Sequence, residues 1–448
     1  MHRRTSLIAI VAWPLLSGCG PSSTDVVIET SGAAPLHAAM QNLTSVIVYD
    51  ILNPPQASRV YTYSSIAAYE VLRHGDTTYR SLAGQINGLT PVPAPPNGVS
   101  LPLAGVHAFM QVGRALTFSR ARMDSLIAVM HRDVRRRISD DQARRSLVYG
   151  DSVAQHILAW AAKDRFRESR GHPKYTVTTT PGRWVPTPPA YMDAVEPNWQ
   201  MLRPFVLDSA AEFRPEPAFP FDTSANSPFG KEMREVYDVG RALTPEQRAI
   251  AAFWDGNPFV MHVQGHTMFA TKKVTPGGHW MSIVRIASQK SGAGLLQVAE
   301  TYALTAMAMA DGFISAWEEK YRSNVIRPET VINMYVDEAW TPLLQTPPFP
   351  EYTSGHSVIS TAAAQVLTHQ FGDNFTFIDS SEVAYGATAR SFTSFAQAAE
   401  EAALSRLYGG IHYRRAIEQG KIQGKRVGMK VIERARTRRE TRVAAVSQ

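Results

Sequence analysis

The last third of the chain contains cationic side chains at a spacing that could bind an oxyanion. Lys320 and Arg327 are seven residues apart, about two helical turns, so the two cations can share one helix face. Pro328 disfavours helical backbone at Arg327. We therefore predict that Arg327 lies just beyond a helix end, with its guanidinium free to enter a pocket.

A second segment combines hydroxyl, glycine and imidazole at the predicted start of a helix. Its residues are Ser354, Gly355 and His356, and they follow a proline-rich approach. Free backbone N–H groups and the partial positive charge at a helix N-terminus stabilise a bound anion. His356 adds an acid–base group, so this segment could both bind an oxyanion and move protons.

A third segment places another cation and another imidazole close together. Arg406 is followed by Gly409 and Gly410, and then by His412. The two glycines should end or bend the helix after Arg406 and allow His412 to turn back towards it. We predict that the three segments form one anion-binding site.

The three segments, Lys-x6-Arg-Pro, Ser-Gly-His and Ser-Arg-x5-His, together resemble the signature shared by vanadium-dependent haloperoxidases and type 2 phosphatidic acid phosphatases. Each motif alone is short, but the three in this order and spacing are specific. Nearby residues, including Asp311 and Trp317, resemble the haloperoxidase branch. The resemblance implies a mainly α fold of antiparallel helical bundles with long irregular loops, and a site at one end of the C-terminal bundle.

The resemblance also implies a vanadate cofactor and a role for each residue of the signature. The implied vanadate-binding residues are Lys320, Arg327, Ser354, Gly355, His356, Arg406 and His412. The cations would neutralise the oxygens of vanadate, His412 would bind the metal, and His356 would handle the protons of hydrogen peroxide. Vanadium would act as a Lewis acid that activates peroxide for attack by halide, with release of hypohalous acid. The organic acceptor of the halogen stays open.

Three other positions qualify this interpretation. Asp255 lies where haloperoxidases hold a carboxylate against a pocket arginine, although an Asp-Gly pair is also common in turns. Ala416 stands where the signature usually has an acid that orients the second histidine, so another carboxylate or a carbonyl must take that part. Thr353 replaces the proline that often precedes Ser-Gly-His.

Two other functions remain open at this point. Phosphate has the shape and charge of vanadate, so the pocket could belong to an acid phosphatase that needs no cofactor, with phosphate as substrate, His412 as nucleophile and His356 as the proton donor. The chain could also be a non-catalytic oxyanion-binding lipoprotein, although His356 would then have no purpose. The large N-terminal half and the Pro-Pro-Phe-Pro approach to Ser-Gly-His favour the haloperoxidase.

Helical periodicity extends over most of the chain and predicts about ten helices with negligible sheet. From 171 to 228 the proline-rich sequence predicts a long irregular crossing, packed down by its aromatic residues. We predict an N-terminal helical region with this crossing over 34–230 and a C-terminal bundle with the vanadate or phosphate site over 231–440. The last residues, 441–448, are predicted to be a disordered basic tail.

The beginning of the chain predicts export and lipid anchoring. A basic start and a short apolar core precede Leu16-Ser17-Gly18-Cys19, which resembles the lipobox of bacterial lipoproteins. We therefore predict a signal peptide over 1–18, lipidation of Cys19, a flexible tether over 19–33, and attachment to the cell envelope on the periplasmic or outer-membrane face. A homodimer is also expected from the resemblance.

The net charge of +7 arises from the C-terminal end of the chain. Residues 421–448 contain nine Lys and Arg against two Glu, which is 9 − 2 = +7, so the rest of the chain is balanced. A balanced body argues against nucleic acid as a partner.

Overall fold

The computed structural model describes residues 32–135 and 137–439, and within them the fold is mainly α, as predicted. The helices of the N-terminal part are α1 (Ala34–Asp50), α2 (Pro54–Leu72), α3 (Leu101–Leu116), α4 (Arg120–Arg135), α5 (Asp140–Ala161) and α6 (Phe166–Gly171). Those of the C-terminal part are α7 (Pro228–Arg241), α8 (Pro245–Phe253), α9 (Pro276–Ser291), α10 (Leu295–Ser323), α11 (Pro328–Tyr335), α12 (Gly355–Phe371), α13 (Phe395–Tyr408) and α14 (Arg414–Arg434).

The strands of the described residues form two small antiparallel hairpins. They are β1 (Val260–Gln264) with β2 (Thr267–Thr271), and β3 (Phe377–Asp379) with β4 (Arg390–Phe392). The first hairpin directly follows the loop after α8. The prediction of negligible sheet therefore holds for this part of the chain.

Several helices start with a polar cap followed by a proline. The cap accepts from a free N–H of the first turn, and the proline has no N–H that needs a partner. Thr244 forms a capping box with Gln247 at the start of α8. At the start of α7, Ser227 accepts from the N–H of Gly230. The described residues form more helices than the ten or so predicted, and α7 and α11 begin at Pro228 and Pro328, each at the first helical position.

The long helix α10 lies at the centre of the molecule. It is buried along most of its length and packs against α2 on the N-terminal side and against α12 and α14 on the C-terminal side. A single hydrophobic cluster includes residues from all of these helices. The core therefore continues across residue 230, and the domain division predicted there stays a prediction.

The proline-rich crossing between α6 and α7 is irregular but packed. Apart from one short 3-10 helix at Trp199–Met201 it contains no regular element among the described residues. Trp184 and Trp199, which belong to the crossing, are buried against the rest of the protein. The Asp311 carboxylate of α10 accepts hydrogen bonds from three successive N–H groups of the crossing, those of residues 205 to 207, at 2.7–3.1 Å. The crossing is thereby attached to the central helix.

Predictions for both ends of the chain lie outside the described residues. These are the signal peptide, Cys19, most of the tether and the basic tail. Among the helices that are described, none is long and apolar enough to cross a membrane.

Candidate functional site

The ends of four helices bring the predicted site residues together. Lys320 lies in the last turn of α10, which ends at Asn324 in the left-handed region (φ 50°). Arg327 follows as the N-cap of α11, just beyond the helix end as predicted. Ser354 caps the N-terminus of α12, and Arg406 lies in the last turn of α13.

These helix ends meet at a chamber of about 390 Å³. Its wall includes Gly355, His356, Arg406, His412 and Asp255. The other predicted residues, Lys320, Arg327 and Ser354, are fully buried in contact with this group. The chain thus brings all the predicted site residues into one region.

His412 is held at both ring nitrogens. Its Nδ1 lies 2.7 Å from Glu351 Oε1, and its Nε2 lies 3.2 Å from Arg327 Nη1. Because Arg327 can only donate, Nε2 must present a lone pair, and the ring proton is assigned to Nδ1. Burial, and then the charge of Arg327, keep the pKa of His412 well below 6.5. His412 is therefore a neutral imidazole with a lone pair on Nε2.

Glu351, for which no role was predicted, supplies the carboxylate that Ala416 lacks. It is fully buried, and its Oε1 also accepts from the Tyr413 N–H at 3.0 Å. Glu351 and Ala416 line the same small cavity, so the acid stands in the loop before α12 and not on α14. Burial raises the pKa of Glu351, while the charges of Arg327 and Lys320 and the Tyr413 N–H lower it and favour the carboxylate. The available sequence signal was an acid three residues before Ser-Gly-His.

The two arginines each keep one buried nitrogen without a partner in the described chain. Arg327 donates from Nε to the Phe349 carbonyl and from Nη1 to the Ile411 carbonyl, both at 2.9 Å, whereas its Nη2 has no partner among the described residues. Arg406 donates from Nη1 to the Trp254 carbonyl at 2.7 Å, and its Nε lacks a described partner. Burial lowers the pKa of both guanidinium groups to about 10, so both remain charged near neutral pH.

Lys320 is directed at the loop that precedes Ser354. Its Nζ donates to the carbonyls of Pro350, Glu351 and Thr353, at 3.1 and 3.0 Å for the first two. Burial, and then the nearby Arg327, shift the pKa of Lys320 well below 10.5. Lys320 thus shapes the loop that carries Glu351, in addition to adding charge.

The His356 ring is hydrogen-bonded at one position, whereas its Nε2 has no partner among the described residues. The backbone of Trp254 forms that hydrogen bond, and Nε2 is buried. Gly256, at φ +57°, lies beside Nε2, where a Cβ would come within 3.0 Å of that nitrogen. Burial, followed by the charge of Arg406, lowers the pKa of His356 well below 6.5. The ring is therefore neutral and can accept a proton at Nε2.

Ser354 and Asp255 differ in detail from their expected roles. The Ser354 hydroxyl is hydrogen-bonded by the Ser357 hydroxyl at 2.9 Å. The Asp255 carboxylate pairs with Lys273 at 3.0 Å, and Arg406 reaches only the Asp255 carbonyl, at 3.4 Å. The expected carboxylate–arginine hydrogen bond is thus replaced by a lysine pair, although the Asp255 charge still raises the pKa of Arg406.

Comparison with known proteins identifies relatives with this architecture. A family model described as the VCPO second helical-bundle domain matches residues 300–441. No curated protein matches the chain. Two solved structures of a bacterial vanadium-dependent chloroperoxidase, a holo-type and an apo-type, are each 17% identical with TM-scores of 0.64. The match to the holo-type structure covers 86% of this chain and 93% of the other, and the match to the apo-type structure covers 87% and 96%. At this sequence identity the two matches establish the fold alone.

A third solved structure is much more similar. It is described as the first bacterial vanadium-dependent iodoperoxidase, and it is 48% identical to this chain with a TM-score of 0.86. The match covers 91% of this chain and 97% of the other. The match thus extends over nearly the whole length of both chains. The chain therefore belongs to the vanadium-dependent haloperoxidase family.

Proposed function

We propose that this haloperoxidase oxidises iodide with hydrogen peroxide at a vanadate bound by His412. The observation that carries the proposal is a group of three buried nitrogens at the site that have no partner among the described residues, namely Arg327 Nη2, Arg406 Nε and His356 Nε2. Burying such groups without hydrogen bonds is costly, and a bound oxyanion would satisfy them. The two arginine donors and the His412 lone pair fit vanadate, and His356 Nε2 can accept from a protonated oxygen of the bound group.

The residues of the chain have distinct tasks in this reaction. Arg327 and Arg406 would hold the oxygens of the anion, together with the N–H groups at the start of α12. His412 would ligate the metal through Nε2, since Glu351 holds the ring proton at Nδ1. Bound vanadate supplies a Lewis acid that activates hydrogen peroxide towards halide. His356, which is neutral, would accept a proton from peroxide at Nε2 and return it to the product.

Iodide is the halide we assign to this chain. The relative that is 48% identical is described as an iodoperoxidase, and the match covers 91% of this chain. Iodide is also the most easily oxidised of the common halides. The choice of iodide is tested by supplying iodide, bromide and chloride in turn at equal concentration and measuring turnover. Iodide should give the highest rate. A rate with bromide or chloride equal to that with iodide would contradict the assignment.

The test of the function is peroxide-dependent iodide oxidation with and without orthovanadate. Turnover should require vanadate and should be suppressed by phosphate, which has the same shape. His412→Ala should abolish turnover because the metal ligand is lost, whereas His356→Ala should retain bound vanadate and slow turnover by about 100-fold or more. Hydrolysis of an aryl phosphate that vanadate inhibits, without iodide oxidation, would assign the pocket to a phosphatase. Full activity in both variants would refute the site assignment.

We also propose that the protein is exported and anchored to the cell envelope through a lipid on Cys19. The lipobox-like Leu16-Ser17-Gly18-Cys19 after a short apolar segment supports this location. Wild-type protein should fractionate with membranes and Cys19→Ser should not. A homodimer is the expected assembly, and light scattering on the purified protein would detect it.

A further inference from the structure

Three consecutive residues after α8, 254 to 256, border two side chains of the oxyanion site. The Trp254 carbonyl accepts from Arg406 Nη1 at 2.7 Å, and the Trp254 backbone also hydrogen-bonds the His356 ring. Gly256 follows beside His356 Nε2. Asp255, between the two, lines the chamber together with Arg406 and His356. A carboxylate therefore stands in the wall of the cavity in which the oxyanion would bind.

A carboxylate in this wall can weaken anion binding in two ways. Its charge repels an oxyanion, and a buried position strengthens the repulsion because protein screens charge less than water does. It can also accept from a guanidinium and occupy donors that the anion needs. Arg406 is near enough for both effects. Its Nη1 lies 3.4 Å from the Asp255 carbonyl, and although burial lowers the pKa of Arg406, the Asp255 charge raises it.

Lys273 is the partner that engages this carboxylate. Its Nζ lies 3.0 Å from Asp255 Oδ2, and the two side chains are 25% and 8% exposed. Among the described residues, Arg406 makes no hydrogen bond to the Asp255 carboxylate, and its buried Nε has no partner. The lysine pair thus accounts for the guanidinium nitrogen that Arg406 keeps available.

Lys273 reaches its partner because the first hairpin returns the chain to its own start. Val260 pairs with Thr271 at the open end of the hairpin, and the lysine and the carboxylate lie just outside this end, 18 residues apart in the sequence. Gln345 accepts from the Met261 N–H at 2.8 Å and so connects the hairpin to the loop before α12. The backbone therefore holds both members of the ion pair in place.

We propose that Lys273 is a positioning residue of the oxyanion site, which holds the Asp255 carboxylate away from Arg406 and offsets its charge, so that Arg406 keeps a donor for the anion. The inference rests on the proposed function, since it requires an oxyanion at Arg406. Lys273 is not part of the described chamber wall, so it acts through Asp255 and not by contact with the anion. Its effect should therefore vanish when position 255 carries no charge.

The first experiment measures anion binding to the apoprotein and needs no turnover. In calorimetric titrations with orthophosphate, and then with orthovanadate, Lys273→Met should bind each anion at least about tenfold more weakly than the wild type. Lys273→Arg keeps the charge and a donor, and should stay within about threefold of the wild type. Lys272→Met is the matched control, because it removes the same charge from the next position, where the lysine donates to the Tyr49 carbonyl at 2.8 Å. It should bind both anions as the wild type does.

The second experiment is a double-mutant cycle with Asp255→Asn, which removes the charge that Lys273 offsets. In this background Lys273→Met should change phosphate affinity by less than about threefold, since no carboxylate is left to engage Arg406. Wild-type affinity in Lys273→Met, equal losses in the two backgrounds, or a loss in Lys273→Arg as large as that in Lys273→Met would each overturn the proposal. Absence of phosphate and vanadate binding to the wild-type protein would instead refute the oxyanion site, and the proposed function with it.

Discussion

The Glu351 carboxylate determines which ring nitrogen of His412 carries the proton. The 2.7 Å contact at Nδ1 leaves the lone pair on Nε2, where Arg327 already donates. Carboxylates that hydrogen-bond a metal-binding histidine orient the ring and raise its basicity.

At this scale we predict that Glu351→Gln weakens vanadate binding by about 10- to 100-fold, because the amide can also donate and no longer selects one tautomer. The dissociation constant would be obtained by titrating the apoprotein with vanadate and recording the regained iodide oxidation. Glu232→Gln is the control, since Glu232 lines the same small cavity but bonds to the Arg415 N–H and not to His412. Equal vanadate affinity in wild type and Glu351→Gln would contradict the assignment.

At the scale of elements, the junction between α8 and α9 supports both His356 and Arg406. The backbone of Trp254, just after α8, hydrogen-bonds both side chains. The Trp254 ring stacks on His279 of α9 at 4.4 Å, and His279 lies 2.7 Å from Asp379 and 3.1 Å from Glu382. Burial alone would lower the pKa of His279, but the two carboxylates outweigh it and raise that pKa to about 10.

This ion cluster predicts a pH-dependent stability. The pKa of His279 is about 10 in the folded protein and near 6.5 when unfolded, so its charge stabilises the fold fully below pH 6.5, and the gain is lost as pH rises towards 10. His279→Gln should lower the free energy of unfolding by about 3 kcal/mol at pH 6 and by much less at pH 10. Denaturant titrations at several pH values would measure the difference between the two proteins.

His37→Gln provides the comparison for that experiment. His37 is also buried, and it hydrogen-bonds the Tyr302 hydroxyl at 2.8 Å. Burial lowers its pKa to about 4, so it is neutral throughout the range from pH 6 to 10. The effect of His37→Gln should therefore not change with pH in this range. An effect of His279→Gln that does not change with pH would show that the positive charge of His279 does not stabilise the fold.

At the scale of the whole molecule, α10 joins the N-terminal helices, the crossing and the site. One face of α10 packs against α2, and its C-terminal turn carries Lys320. Between these, the buried carboxylate of Asp311 holds the backbone of Phe205, Val206 and Leu207. The chamber wall contributed by Met192 and Val195 belongs to this same crossing. The position of the wall thus depends on how the crossing is attached to α10.

Asp311→Ala should therefore destabilise the protein as a whole. The change leaves three N–H groups without their acceptor, and we expect a loss of about 3 kcal/mol in the free energy of unfolding, with one cooperative transition retained. Guanidinium titration followed by tryptophan fluorescence and by circular dichroism would test both statements. Asp208→Ala, at an exposed aspartate of the same crossing, should change stability by less than about 0.5 kcal/mol. Two separate transitions would mean that the crossing unfolds independently of α10.

The sequence by itself identified the candidate residues of the site, the mainly α fold and the local signals that start and end helices. These follow from short-range causes: a cap and a proline start a helix, and glycines end one, as at Gly409 and Gly410. The placement of Arg327 just outside a helix was predicted from Pro328 alone, and the structure agrees. The family followed from motif order and spacing, and the relative at 48% identity confirms it.

Only the tertiary structure decided which side chains pair. Glu351 and His412 are 61 residues apart, and Arg406 is 152 residues from the Trp254 carbonyl that orients it. The pairing of Asp255 with Lys273, in place of an arginine, likewise depends on how two loops meet. No local pattern encodes such contacts, because they depend on the packing of helices from distant parts of the chain. The chamber wall, assembled from both halves of the chain, arises from the same cause.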